Sequence, residues 1–153
     1  MSKIFFELGP EGGKTSGEFQ VVKGKFNVKE ELSQSEIKVI MPVNSITTFN
    51  SMRDESLLEE EYLHQEKYPE IIFKANSFTA EGDAYRVDGE FTLLGVTKKL
   101  PVTLKLVGIG EKDKNKIMVL LGKSSLNRTD YGMVSSAKIG DVVDFHFEVQ
   151  LKQ

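Results

Sequence analysis

The C-terminal stretch "DFHFEVQLK" (144–152) alternates strictly between polar and apolar residues. The apolar set is Phe145, Phe147, Val149 and Leu151. The polar set is Asp144, His146, Glu148, Gln150 and Lys152. Because successive side chains of a β-strand point to opposite faces of its sheet, this stretch predicts an antiparallel strand with one face in the core and one in water.

The same alternation recurs along the chain and predicts eight strands. They lie near residues 3–8, 16–28, 35–43, 70–78, 84–94, 100–110, 115–126 and 141–152. Turn-forming sequences separate most of them, so a meander is expected. We predict one all-β domain over residues 1–153, an eight-stranded antiparallel up-and-down barrel, because closure removes exposed strand edges. A sandwich would need longer crossing connections.

One segment, "NSMRDESLLEEEYLHQEKYP" (50–69), departs from the period of two. Leu57, Leu58 and Tyr62 recur at helical spacing, and Ser51 is a suitable N-cap. The segment therefore predicts one short helix at about residues 51–60. Its acidic face is either simply solvated or a docking surface for a partner.

Composition excludes several classes of function. With 20 basic and 23 acidic residues, the net charge of −3 gives no basic stripe for nucleic acid. The chain has no cysteine, and no apolar run approaches the ~20 residues of a transmembrane helix. The N-terminus lacks the apolar region of a signal peptide. This predicts a cytoplasmic protein, or a periplasmic one if a signal peptide has been removed.

Catalytic and metal-binding motifs are weak. "GPEGGKTSG" (9–17) has Leu8 where a phosphate-binding Walker loop requires its first glycine, and it leads into a strand, so it predicts a hairpin turn. Asp144, His146 and Glu148 share one strand face, but a solvated face explains them equally well. No nucleophile elbow is present. We predict no metal, no cofactor and no enzymatic activity.

The segment "LNRTDYGM" (126–133) places Arg128 just beyond a predicted strand. Two interpretations stay open for this side chain. It contacts a ligand headgroup at a barrel mouth, or it forms an ion pair with Asp130 or Asp54 that fixes a lid.

Five blocks resemble, in order, the YceI-like family of polyisoprenoid-binding, lipocalin-like barrel proteins. The blocks are "SITTFNSMRDESL", "KYPEIIF", "VDGEFTLLGVTKKL", "LNRTDYGM" and "IGDVV". The resemblance implies an extended barrel with a helix at its mouth. It also implies an apolar tunnel for a long-chain lipid, such as a polyprenyl compound, a ubiquinone-like isoprenoid or a fatty amide, without catalysis.

The inward faces of the strands predict the lining of this tunnel. The expected lining residues are Val39, Met41, Phe73, Gly89, Phe91, Leu93, Leu104, Leu106, Phe145 and Phe147. Polar residues expected at the mouth, as headgroup contacts, are Arg53, Lys98 and Arg128. Glycines beside aromatic rings predict a narrow channel, although periodicity alone does not distinguish a tunnel from a filled interior.

The predicted function is binding, transport or sequestration of a long-chain isoprenoid or fatty-acid-derived lipid. The alternative is an interaction or stress-response module with a filled barrel, which would use the acidic helix 51–60 as its partner surface. The oligomeric state stays open between a monomer and a homodimer.

Overall fold

The computed structural model describes residues 2–8, 15–20, 23–27, 36–60, 62–112, 114–133 and 141–152. Within them lie ten β-strands and one α-helix, α1 (Ser51–Leu57). The strands are β1 (Ser2–Leu8), β2 (Thr15–Phe19), β3 (Lys23–Asn27), β4 (Glu36–Pro42), β5 (Ile46–Thr47), β6 (Glu70–Glu81), β7 (Ala84–Leu93), β8 (Val96–Lys112), β9 (Asn115–Asn127) and β10 (Val142–Lys152). The predicted all-β class is confirmed.

The strands form one curled antiparallel sheet in the order β3-β4-β6-β7-β8-β9-β10-β1-β2-β5. From β6 to β10 each strand pairs with its successor, as expected for a meander. The N-terminal strand β1 then pairs with both β10 and β2.

One chain segment links strands that lie near the two ends of the sheet. β4 pairs with β3, and after a 3-10 turn at Val43–Ser45 the chain continues as β5, which pairs with β2. The backbone N–H of Gln20 also donates to the carbonyl of Ser45 at 2.9 Å. The predicted barrel architecture is confirmed, but with ten strands in place of eight. The count differs because the segment predicted at 16–28 is divided into β2 and β3, and the short β5 was not predicted.

The helix is shorter than predicted. It ends at Leu57, not near residue 60, because the following residues fold back onto its last turn. The N–H of Leu63 donates to the carbonyl of Leu57 at 2.9 Å. The predicted N-cap is also wrong, since the Oδ1 of Asn50 accepts the N–H of Arg53 at 3.1 Å, which makes Asn50 the cap in place of Ser51.

The buried apolar residues form two clusters. The first core cluster comprises Ile4, Phe6, Phe19, Val39, Met41, Val43, Leu63, Ile71, Phe91, Leu93, Leu100, Leu126, Tyr131, Met133 and Val143. The second core cluster comprises Ala75, Phe78, Val87, Val102 and Leu104. Ile37, Phe73 and Phe147 pack against both clusters and join them.

Among the side chains whose burial the structure describes, the predicted inward positions are buried or half-buried except for Leu106 in β8. Leu106, expected inside, is 37% exposed. The register of β8 against β9 shifts only after Leu106, which still pairs with the buried Leu120, so Leu106 keeps the inward alternation but lies where the exposed part of β8 begins. Most of the turn predicted at 9–17 lies outside the described residues.

Candidate functional site

The candidate site is an apolar cavity of about 80 Å³ within the first core cluster. Its lining comes from strands on both sides of the curled sheet and from segments that leave the sheet. The lining residues are Phe6, Phe19, Ile46, Leu57, Tyr62, Leu63, Ile71, Phe91, Leu93, Leu126, Arg128, Met133, Val143 and Phe145. We call Leu57, Tyr62 and Leu63 the cover, because they belong to the end of α1 and the turns after it.

Aromatic rings shape much of the cavity wall. Phe6 and Phe19 meet at a centroid distance of 5.6 Å, and Phe91 and Phe145 at 5.9 Å, both pairs tilted. Tyr131 packs edge-on against Phe91 at 5.8 Å. Tilted contacts at these distances are favourable for aromatic pairs. The wall therefore offers flat apolar faces that suit a hydrocarbon better than a sugar or a nucleotide.

Arg128 is the one charged residue among the lining side chains, and its side chain is only 3% exposed. Its Nη2 lies 3.5 Å from Oδ1 of Asp141, and its backbone N–H donates to the carbonyl of Asp141 at 2.9 Å. Asn127 caps the 3-10 helix Arg128–Tyr131 by accepting the N–H of Thr129 at 3.0 Å. These bonds hold a guanidinium in a largely apolar wall.

Tyr131 ends the same 3-10 helix and is 3% exposed. Burial raises the pKa of its phenol above the ordinary value, and the negative charge of Asp130 raises it further. The hydroxyl group therefore stays protonated at neutral pH beside the ring of Phe91.

Three of the predicted tunnel residues line the cavity: Phe91, Leu93 and Phe145. The others lie elsewhere in the interior or outside it. Val39 and Met41 belong to the same cluster without lining the cavity, Phe73 and Phe147 lie between the clusters, and Leu104 belongs to the second cluster.

Gly89 does not leave the open space that the sequence suggested. A Cβ at Gly89 would lie 2.5 Å from Cζ of Phe73, so the ring of Phe73 occupies that position. Gly122 accommodates the ring of Phe147 in the same way. The channel space predicted beside Gly89 is therefore filled by the ring of Phe73.

The three predicted headgroup residues do not share one mouth. Arg128 is buried, whereas Arg53 is exposed on α1 and donates through Nε and Nη2 to Oγ1 and the carbonyl oxygen of Thr48, each at 2.8 Å. Lys98 is exposed and lies opposite Phe91 in the β7–β8 register.

Sequence reasoning missed most of the lining. The residues not predicted are Phe6, Phe19, Ile46, Leu57, Tyr62, Leu63, Ile71, Leu126, Met133 and Val143. Phe6 and Phe19 carried a usable signal, because both lie in predicted strands. The helical spacing of Leu57, Leu58 and Tyr62 predicted a helix, although not the cavity that Leu57 and Tyr62 line.

A larger groove of about 960 Å³ lies elsewhere on the sheet. Seven of its lining residues are charged: Glu36, Lys38, Lys74, Arg86, Asp88, Glu90 and Lys99. A hydrocarbon would gain little by displacing water from these charges. The small apolar cavity is therefore the better candidate for a lipid chain.

Two absences hold for the described part of the chain. It holds no group of three His, Cys, Asp or Glu side chains placed to bind a metal ion. None of its helices has the length and apolar character needed to cross a membrane.

Comparison with known proteins gives a family match over nearly the whole chain. A family model described as "YceI-like domain" matches residues 2–151. Protein YceI of Salmonella arizonae is 34% identical over 96 residues, which are 62% of this chain and 50% of that relative. The chain thus spans about half the length of the curated relatives it matches.

Solved structures show the same fold. Burkholderia cenocepacia BcnA superposes with a TM-score of 0.88 at 16% identity, covering 98% of this chain and 96% of that chain. A polyisoprenoid binding domain from Saccharophagus degradans, implicated in plant cell wall breakdown, gives a TM-score of 0.75 at 13% identity. The match covers 99% of this chain and 93% of that chain. At these identities the likeness concerns the fold alone.

Proposed function

The chain belongs to the YceI-like domain family, and from this premise we propose that it binds a long-chain isoprenoid or a similar amphiphilic lipid in its barrel interior. The observation that carries the proposal is the cavity whose lining is uncharged except for Arg128. Each methylene group moved from water into such a site contributes roughly 0.8 kcal/mol. The name of the Saccharophagus degradans neighbour supports an isoprenoid as the ligand class.

The size of the cavity sets a condition on this proposal. Its volume of about 80 Å³ is smaller than the ~150 Å³ of an engineered cavity that binds benzene. A long chain therefore requires lining groups to move. Leu57, Tyr62 and Leu63 in the cover move without breaking any strand pairing, so we propose that the lipid enters by displacing the cover.

Polar groups would orient the ligand. We propose that the guanidinium of Arg128 donates to an oxygen of the lipid's polar end inside the cavity. Arg53 and Lys98 are exposed and would contact a headgroup that remains outside. Phe73, Phe147 and the second-cluster residue Leu104 would line the path of a longer chain beyond the cavity.

The proposed role is transport or sequestration without catalysis. It concerns this domain, since the chain matches only half the length of its curated relatives. The alternative, an interaction module with a filled interior, is favoured by the small volume of the cavity. The two functions differ in one observable, which is whether a lipid stays bound.

Native mass spectrometry of the purified protein, followed by organic extraction, tests the proposal. We expect a co-purifying lipid in the wild type. In Leu126→Phe the extra ring atoms fill the cavity. Exclusion of about two methylenes should lower lipid affinity roughly tenfold, measured by rebinding the extracted lipid.

The matched control is Ile109→Phe, because Ile109 is 69% exposed and does not line the cavity. It should bind the lipid as the wild type does. A wild type that releases no lipid after extraction, or a Leu126→Phe variant that is folded and binds lipid normally, contradicts the proposal. The first of these results would favour the interaction module.

A further inference from the structure

The turn before α1 and the first turn of the helix each expose one large apolar side chain. Met52 is 79% and Phe49 is 77% exposed, the highest values for large apolar residues in the described part of the chain. We call these two residues the apolar tip. They lie on either side of Asn50 and Ser51, Phe49 just before the N-cap of α1 and Met52 in its first turn.

The backbone of Phe49 is in the left-handed region, with φ at 62°. A bulky aromatic residue rarely adopts this conformation. Side-chain hydrogen bonds hold it: Phe49 N–H donates to Oγ1 of Thr47 at 3.1 Å, and Thr48 N–H donates to Oδ1 of Asp54 at 2.8 Å. The exposure of the ring is therefore fixed by an organised turn.

One positive charge lies beside the tip and could contact a phosphate group, although acidic residues follow it along α1. Arg53 is the one charged residue in the stretch 49–53, and it is exposed. It uses Nε and one N–H of Nη2 on Thr48, which leaves further donors on the guanidinium. The next residue, Asp54, directs Oδ1 to Thr48. The tip thus combines apolar groups with a positive charge.

The position of the tip connects it to the cavity. Phe49 and Met52 lie at the N-terminal end of α1, while Leu57 at its C-terminal end belongs to the cover. A surface that contacts the tip is therefore also close to the segment that must move before a lipid can enter.

We propose that the apolar tip inserts into the surface of a lipid bilayer, with Arg53 at the phosphate level. This proposal rests on the proposed function, because a water-insoluble ligand has to be collected from a membrane or delivered to one. The exposed acidic residues Glu55, Glu59 and Glu60 follow on the same segment and would be repelled by anionic lipids. The partner is therefore a zwitterionic bilayer.

The chain contains no tryptophan, so a single introduced tryptophan reports on its own position. In Phe49→Trp, phosphatidylcholine vesicles should shift the emission to shorter wavelength, and bromine on the acyl chains should quench it. Adding Met52→Ser should weaken vesicle partitioning roughly fivefold, since buried apolar area drives interfacial binding.

The matched control is Ile109→Trp. Ile109 is 69% exposed, but it lies roughly 40 Å along β8 from Val96, which packs against the first core cluster. Its emission should not respond to vesicles. A response of equal size at both positions indicates nonspecific adsorption and overturns the proposal. No response at position 49 also overturns the proposal. A protein partner would then be the better candidate for contact with the apolar tip.

The readout separates this proposal from the proposed function. Tryptophan emission reports contact with the vesicle surface and requires no lipid in the cavity, whereas mass spectrometry reports the bound lipid. A protein that inserts its tip but co-purifies without lipid retains the docking surface and contradicts the binding function. A protein that retains lipid but does not insert its tip supports the binding function and contradicts the docking surface.

Discussion

At the scale of single residues, Arg128 combines a buried charge with an apolar cavity wall. Removing a guanidinium from water is unfavourable unless fixed partners replace the lost hydration. Asp141 supplies part of that replacement through its carboxylate and its backbone carbonyl. Among the described residues every buried side-chain N or O atom has a hydrogen-bond partner, so this charge is accommodated without a ligand.

Replacement of this side chain should therefore affect folding as well as binding. Arg128→Met keeps much of the side-chain volume but removes the N–H donors of the guanidinium. Their acceptors, among them the carboxylate of Asp141, then lose these hydrogen bonds. We expect the free energy of unfolding to fall by about 1–3 kcal/mol. Urea denaturation followed by circular dichroism measures the change.

Arg86→Met is the matched control, because Arg86 pairs with Asp88 at 3.2 Å while both side chains are about half exposed, at 53% and 52%. A surface ion pair of this kind should contribute less than about 1 kcal/mol. Equal losses in the two variants would contradict a structural role for the buried guanidinium.

At the scale of elements, three aromatic rings lie over glycines of neighbouring strands. Phe6 packs over Gly17, Phe73 over Gly89 and Phe147 over Gly122. In two of these pairs the ring and the glycine are direct register partners, on β1–β2 and β9–β10. A glycine lets a large ring approach the backbone of a strongly curved sheet, so these pairs help the strands curl.

A side chain at such a glycine should be destabilising. In Gly122→Ala the new Cβ would overlap the ring of Phe147, and the required shift should lower the free energy of unfolding by about 1–3 kcal/mol. The control is Gly108→Ala, where nothing lies within 4 Å of the place that a Cβ would occupy. It should stay within about 0.5 kcal/mol of the wild type. Similar melting temperatures for both variants would refute the packing role of Gly122.

The elements also show where sequence reasoning succeeds. β7 and β10 were predictable because one face of each is apolar and the other polar, which imposes a period of two. The end of α1 was not predictable, because it depends on the N–H of Leu63 donating to the carbonyl of Leu57. The bulge after Leu106 depends on the partner strand in the same way. Local pattern determines the type of an element, and contacts with residues outside the element determine its end.

The site was less predictable than the strands. Phe91, Leu93 and Phe145 follow from alternation, but the cavity also needs Phe6 from the first strand and Leu63 from a turn. Periodicity states which face a residue occupies. It does not state which distant residues meet there, or whether they fill the space between them.

At the scale of the whole molecule, the two core clusters share their supporting elements. β7 contributes Phe91 to the first cluster and Val87 to the second, and Phe73 on β6 packs against both. If one half of such a strand unfolds, the hydrogen bonds that continue from it into the other half are also broken. We therefore expect one cooperative unit and one unfolding transition.

Native-state hydrogen exchange tests this cooperativity. Phe78→Leu changes a residue that belongs only to the second cluster and should lower the free energy of unfolding by roughly 1 kcal/mol. If the clusters unfold together, the slowest amides near Ile4 in β1 should lose the same protection as those near Val87 in β7. Ile109→Ser, at an exposed position, should alter neither group. Loss of protection confined to β7 would show that the second cluster opens by itself, and a lipid chain could then reach Leu104 without global unfolding.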